Sequence, residues 1–383
     1  MSSLKPTIDP VAPPLDWARA TFDIERACTI GIEEELMLLD PVTLDLAPCA
    51  PEALAATGED ERFKLELVAS QIESVTPPMR TVSAAAGALR GARRDLRSAL
   101  DGTTLVAGAG MHPFTAALGA LNDGPRYVAL GEEFASVARR QLVFGLHVHV
   151  AVSGAARAIA VHDALRSHLP ELAALGANAP FHVGRDSGLA SVRPTIMGAL
   201  PRQGIPPALR SWEAFADALQ WGASAGALPD PRRWWWELRL HPIHGTIEVR
   251  VADTQTTVGE TAAIAALIHA LTATLADRFD ASERLPVAPS WRIAENRWWA
   301  ARDGLDARLA DLWTGERRPV RERLHALLDD VAPAGQRLRC AAQLDDARAL
   351  VNGPGGARRQ REVAADDGLS GLVEWLSGRL LSG

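Results

Sequence analysis

Five short segments of this chain carry carboxylates, imidazoles and guanidinium groups at spacings that chemistry could use. Side chains alternate between the two faces of a β-strand. In TIGIEEELMLLD that alternation puts Ile30, Ile32, Leu36 and Leu38 on one face with Glu34 among them, and Glu33 and Glu35 on the other. QLVFGLHVHVAV repeats the design: Leu146, Val148, Val150 and Val152 form an apolar face, and His147 and His149 lie together opposite it. In GTIEVRVADT, Ile247, Val249 and Val251 oppose Thr246, Glu248 and Arg250. In WWWELRLHP, Trp234, Trp236, Leu238 and Leu240 oppose Trp235, Glu237, Arg239 and His241. Each strand alone fits an ordinary half-exposed sheet with cross-strand ion pairs. Four strands of one design point instead to a shared polar face. Carboxylates on such a face can hold Mg²⁺ or Mn²⁺, and arginines can neutralise a phosphate in transfer. Two histidines on one strand face mark a metal or acid–base site, with His149 either in it or supporting it.

The fifth segment, LELVASQIESVTPP, sets a geometric condition. Glu66 and Glu73 are seven residues apart, an odd offset that no regular strand places on one face. If both serve one site, Glu66 must lie on a bend before the strand that holds Gln71 and Glu73, which Pro77 and Pro78 end. A loop-like stretch, ANAPFHVGRDSGLASVRP, adds Arg185, Asp186 and Arg193 as candidates for substrate or phosphate contacts, alongside Gln71 and His149.

These side chains need strands to position them, expected at about 29–39, 71–76, 104–108, 141–152, 233–240 and 246–252. Helices are expected at about 82–100, 158–176, 211–222, 258–278, 295–313, 319–330 and 366–381. Strands without regular crossover helices favour an α+β fold: a curved, mainly antiparallel sheet with helices on its outer face. No segment reads as an interdomain linker. One catalytic domain over 1–383 is expected, with an N-terminal arm at 1–20 and a mostly helical part at 295–383.

Composition removes several alternatives. The 383 residues carry a net charge of −7, which disfavours a nucleic-acid footprint. Three cysteines without a CxxC disfavour a disulfide framework or a thiolate zinc site. Lys5 and Lys64 are the only lysines among the 40 basic residues, so there is no GxxxxGK[ST] loop, and phosphate would have to be met by arginines, backbone N–H groups and cations. The N-terminal stretch lacks the apolar core of a secretory signal. The uncharged, apolar run Thr261 to Ala276 is shorter than a spanning helix needs and reads as a buried helix. A soluble, cytoplasmic protein without membrane or nucleic-acid partners is expected, and apolar helices in the last third make a homodimer conceivable.

Taken in order, GIEEELMLLDP, ELVASQIESVTP, GMHPF, QLVFGLHVHVAV, ANAPF-x3-RDSGLAS-x-R and ELRLHPIHGTIEVRVADT resemble the carboxylate–amine ligase family, also called glutamate–cysteine ligase type 2, over about residues 28–315. The resemblance implies a glutamine-synthetase-like fold with ATP and two or three Mg²⁺ or Mn²⁺ ions on a curved antiparallel sheet. It implies Glu33, Glu66 and Glu73 as one metal cluster and Glu35, His147 and Glu248 as another. It implies Arg250 facing the transferred phosphate, and Arg239 as a partner for phosphate or a substrate carboxylate. The reaction implied joins a small-molecule acid, activated as an acyl phosphate, to an amine, with weak glutamate–cysteine ligase activity. An acyl phosphate exposed to water would hydrolyse, so a lid is expected, with 198–208 and 223–232 as candidates. Val192 stands where the family usually has an aromatic residue, and Arg239-Leu240-His241-Pro242 departs from its arginine–proline segment, whereas Tyr127 matches a common tyrosine. Two other readings of the same residues are a metal-dependent hydrolase on this scaffold and a catalytically silent ligand-binding protein.

Overall fold

A long first strand organises the fold, which a computed structural model describes for residues 16–382 except 229. In chain order the strands are β1 (Ile30–Leu39), β2 (Phe63–Leu65), β3 (Gln71–Val75), β4 (Leu105–Ala107), β5 (Gly145–Ala151), β6 (Phe181–His182), β7 (Arg185–Asp186), β8 (Leu238–His241), β9 (Thr246–Asp253), β10 (Arg308–Ala310) and β11 (Arg317–Pro319). Seven of them form one sheet in the order β2-β3-β1-β5-β9-β8, with β4 also paired to β1. Every pairing in that sheet is antiparallel. Along one edge β1 changes partner: Ile30–Glu34 pair with β5 and Met37–Leu39 with β4. At the junction, the Gly145 N–H donates to the Glu35 carboxylate, and the Thr254 hydroxyl donates to the Glu35 carbonyl (2.9 Å).

The alternation read from sequence holds in the sheet. Ile30, Ile32, Leu146, Val148, Val150, Leu238, Leu240, Ile247, Val249 and Val251 are all buried in one core with apolar residues of the helices Val82–Leu100, Ala155–Leu165, Leu169–Leu175 and Val258–Asp280. The helices therefore cover the apolar face and leave the other face for polar groups. Glu34 lies on the covered face, where its carboxylate meets Arg93 of the Val82–Leu100 helix in a two-pronged pair (2.6 Å each), both side chains fully buried. The Val258–Asp280 helix is long and apolar enough to cross a membrane, yet it lies inside this core and opens with a Thr257–Glu260 capping box.

Several boundaries differ from the sequence expectation. Residues 16–20 are not part of an arm: they begin the helix Asp16–Asp23, whose Ala18 and Phe22 enter the core. The rest of the expected arm, 1–15, falls outside the described residues. The strand expected at 233–240 starts only at Leu238. Its tryptophans keep their expected sides without the strand: Trp234 packs edge-on to Phe215 in the core and Trp236 packs against the same core, while Trp235 meets Arg202 and Arg233. The helix expected at 295–313 runs Ser290–Asp303 and stops at Gly304, whose φ of 55° leaves the helical region. The β10–β11 hairpin follows, its turn held by the Asp311 carboxylate accepting from the Trp313 and Thr314 N–H groups. The helix Ala341–Asn352 was not expected, and the last helix, Gly356–Gly378, is kinked at Gly368.

Candidate active site

In an antiparallel pair, directly opposed residues point to the same face, so the register places the site. Glu73 of β3 opposes both Lys64 of β2 and Glu35 of β1. Glu33 opposes His147 of β5. His149 opposes Glu248 of β9, which opposes Arg239 of β8. One row of polar side chains thus crosses the sheet on the face away from the helices. Gln71 opposes Met37 and is buried. Glu66 sits just after β2 on the bend that the odd spacing required, and it lines the same cavity as Gln71.

The register also has a defect where it matters. Val148 opposes Val249, but Leu146 opposes Ala252, so β9 carries one extra residue across from His147. Such a bulge bends the strand and re-aims a side chain. Here it sets Arg250 beside His147, with Arg250 Nη1 3.3 Å from His147 Nδ1 and also donating to the Glu248 carboxylate. Arg193 clamps the strand beyond the bulge, donating to Asp253 (2.8 Å) and to the carbonyls of Arg250, Val251 and Ala252 (3.2, 3.1 and 2.7 Å).

The carboxylates divide into two electrostatic groups. Burial, and then the charge of Glu66, push Glu35 up to about 7. Burial also raises Glu66, and it raises Glu73 well above the usual carboxylate range together with Glu33, Glu66 and Glu35. Burial alone would raise Glu33 and Glu248 as well. His149 and His147 hold Glu33 well below its ordinary value instead, and Arg239, Arg250 and His149 do the same for Glu248. His147 is pushed down to about 4 by burial and then Arg250, so its imidazole is neutral, the form that ligates metal. Buried acids that resist ionisation, beside a neutral imidazole, form a donor set suited to divalent cations. Two groups have ligand atoms all within 4.8 Å of one another: Glu33, Glu73 and His147, and Glu33, His149 and Glu248.

That grouping overlaps both expected clusters. Glu33 stays with Glu73 but also stands opposite His147 and near Glu248, whereas Glu35 opposes Glu73 and lies 3.9 Å from His147 Nε2. Sequence spacing shows that the two share a face but not which neighbour each meets. Two expected ligand-binding arginines are also placed otherwise. Arg185 is exposed in β7, which pairs with β6 rather than with the main sheet, and it lines neither of the two cavities at the polar face described below. Arg193 is 2% exposed and lines the cavity, but most of its donors are spent on the clamp. Arg239 is likewise occupied, donating with two nitrogens to Glu248 and with a third to the Arg232 carbonyl (2.7 Å). Glu237, assigned to the polar face, pairs instead with Arg297 (2.8 Å).

Glu35, Glu66, Gln71, His147 and Arg250 form one wall of a cavity. The opposite wall is mostly apolar and was not read from sequence: Leu130 and Phe134, Met197 and Leu200, and Trp235, with Gln141, Gln203 and Arg126 among them. Tyr127, Leu130 and Phe134 follow the spacing of one helix face in Pro125–Phe134, a signal that was present. Of the two lid candidates, 198–208 contributes Leu200 and Gln203, while 223–232 contributes no lining residue among those described. Arg202 and Arg233 stack on Trp235, each 5.4 Å from its ring centre. A second cavity opens beyond Glu33 and His149, lined also by Arg26, Lys64, Thr76 and His244.

A family model described as "Glutamate-cysteine ligase family 2(GCS2)" matches residues 29–372. A Rubrobacter xylanophilus protein named "Putative glutamate--cysteine ligase 2-3" is 40% identical over 365 residues, 93% of this chain and 98% of that one. A similarly named relative from Frankia alni is 35% identical over 373 residues, covering 94% of this chain and 97% of its own. Among solved structures, glutamate–cysteine ligase from Francisella tularensis in complex with AMP superposes with a TM-score of 0.71 at 13% identity, covering 94% of this chain and 91% of that one. A bifunctional glutathione synthetase from Pasteurella multocida gives 0.68 at 14%, over 95% of this chain and 54% of the other. At these identities the two structures bear on the fold alone.

Proposed function

This chain belongs to glutamate–cysteine ligase family 2, and from that premise we propose that it is an ATP-dependent carboxylate–amine ligase, with glutamate as the acid, cysteine as the amine, and weak turnover of that pair. The observation that carries this reading is the row Glu73–Glu35 and Glu33–His147 on one face of the sheet, from which Glu35 and His147 line one cavity together with Glu66 and Arg250. The residues fit bound Mg²⁺ or Mn²⁺, which would neutralise the phosphate oxygens of ATP and orient its leaving group.

The chain's own groups account for the rest. Arg250 presents a guanidinium where charge builds on the γ-phosphate as the substrate carboxylate attacks it. Arg239 holds Glu248, and through it the Arg250 side chain, in place. Arg126, over the Tyr127 ring at 6.0 Å, offers a cation to a substrate carboxylate inside the cavity. The acyl phosphate that results keeps its carbonyl open to an amine, and the wall of Phe134, Leu200 and Trp235 keeps bulk water from competing. Attack by the amine then releases phosphate and leaves the amide.

The test is turnover of ATP to ADP with Mg²⁺ or Mn²⁺ across a panel of amino acids offered as acid and as amine, with the amide identified by mass. ADP and amide formed in equal amounts support the reading. Hydrolysis of an amide without ATP would replace it with metal-dependent hydrolysis.

A further inference from the structure

We propose that Arg193 is a positioning residue for Arg250: it fixes the bulge in β9 and, through the bulge, the direction in which the Arg250 side chain points. Between the Val148–Val249 and Leu146–Ala252 pairs, Arg250 and Val251 stand across from His147 alone. Two residues against one leave the extra residue unpaired and disrupt the ladder locally. Arg193 comes from outside the sheet, as the first residue of the helix Arg193–Met197, and supplies the missing partners. Its Nη2 reaches the carbonyls of Arg250, Val251 and Ala252, and its Nε reaches Asp253 Oδ1 at 2.8 Å. One planar group thus spans every residue from the bulge to the end of β9.

The far end of the clamp is anchored as well. Asp253 is 2% exposed and accepts from the Asn178 N–H (2.6 Å) and the Ser191 hydroxyl (3.0 Å). Two glycines make room for it. A Cβ on Gly110 would stand 2.5 Å from the Asp253 carboxyl carbon, and one on Gly145 would stand 3.1 Å from Arg193 Nη1 and 3.0 Å from His147 Nε2. The clamp therefore packs directly against the groups that line the cavity. An ammonium in its place could meet Asp253 or the carbonyls but could not span both. One competing reading is that Arg193 only stabilises the fold. The other is that it touches substrate, since it lines the cavity, although its Nη1 already faces Met197 Sδ at 3.0 Å. What Arg250 does in turnover rests on the ligase reading; that Arg193 aims it does not.

The test is a double-mutant cycle on the full chain, with Arg193→Lys made alone and together with Arg250→Lys. Alone, Arg193→Lys should lower kcat per folded molecule by about 10²-fold, the scale of loss when a reacting group shifts by about 1 Å, while the KM for ATP changes by less than about threefold. In the Arg250→Lys background the same change should cost less than about threefold, because the group it aims is already gone. A wild-type kcat with a lowered melting temperature would make Arg193 structural. A loss carried by KM would mean direct substrate contact, and equal losses in both backgrounds would mean that it acts apart from Arg250. Any of the three overturns the proposal. Should Arg193→Lys fail to fold by circular dichroism, Asp253→Asn, which removes the charge that holds Arg193, takes its place in the cycle. If the wild-type chain forms no ADP with any acid and amine, the ligase reading fails, and crystal structures of wild type and variant decide: Arg250 displaced from Glu248 and His147 supports the proposal, and Arg250 unmoved overturns it.

Discussion

Arg250 meets two partners that make different demands on it. Its pair with Glu248 is what a structural ion pair would look like, and its contact with His147 places it beside the proposed cation ligands. A lysine can keep one charge contact but cannot meet two phosphate oxygens from one planar group. Arg250→Lys is therefore expected to lower kcat by about 10²–10³-fold, the usual loss for one preorganised donor, and to raise the KM for ATP much less. Melting temperature and single-turnover rate measured on the same variant separate the roles. A rate within about threefold of wild type, a barrier change of only ~0.65 kcal/mol, with a lowered melting temperature would leave Arg250 structural. At this scale the sequence was most legible for Glu34 against Glu33 and Glu35, because strand alternation is a local rule. Arg93, which compensates Glu34, lies 59 residues away and carries no local mark.

The elements that aim these residues show where local rules end. The first helix against the sheet, Val82–Leu100, is tied to β1 by the Arg93–Glu34 pair, and Arg93 also donates to the carbonyls of Thr256, Leu380 and Gln255 (3.1, 2.9 and 3.1 Å). Removing one partner of a buried pair strands the other's charge, a cost of about 3–5 kcal/mol. Arg93→Ala should therefore lower stability by that order in denaturant unfolding, while turnover per folded molecule stays close to wild type. A loss under about 1 kcal/mol would show that this pair is not what docks the helix. Register belongs to this scale too. Which of Glu33 and Glu35 stands directly opposite His147 depends on how β5 slides against β1. The bulge at Arg250 depends on β9 having one residue more than β5 across the site. Neither is written in either strand alone.

Over the whole molecule, the sheet's covered face followed from alternation in separate strands, while the strand order and the apolar cavity wall, which draws on the segments 125–134, 197–203 and 235, are decided only by the tertiary fold. The acids gathered at the sheet's polar face also make stability depend on pH and metal. Glu35, raised from 4.5 to about 7, and Glu73, raised further by its neighbours, favour folding while protonated. The Glu35 contribution is full below about pH 4.5 and is lost as pH rises through about 7, and Glu73 acts in the same direction. A divalent cation at about 100 times its Kd adds about 2.7 kcal/mol, and it does so by binding the ionised acids. The rise in Tm on adding Mg²⁺ or Mn²⁺ to chelator-treated protein should accordingly be larger at about pH 8 than at about pH 5.5, with protons released on binding. An equal rise at both pH values would contradict the assignment of these acids as ligands.

Carboxylate activation by ATP leaves a trace that no hydrolase or passive binding protein would leave. With glutamate labelled with ¹⁸O in its carboxylates, cysteine, ATP and Mg²⁺ or Mn²⁺, attack on the γ-phosphate carries one carboxylate oxygen into the phosphate that is later released. Mass analysis of the inorganic phosphate should show one ¹⁸O per amide formed, with ADP in equal amount. Amide formed with unlabelled phosphate, or with AMP and pyrophosphate in place of ADP, would contradict the acyl-phosphate ligase that the account rests on.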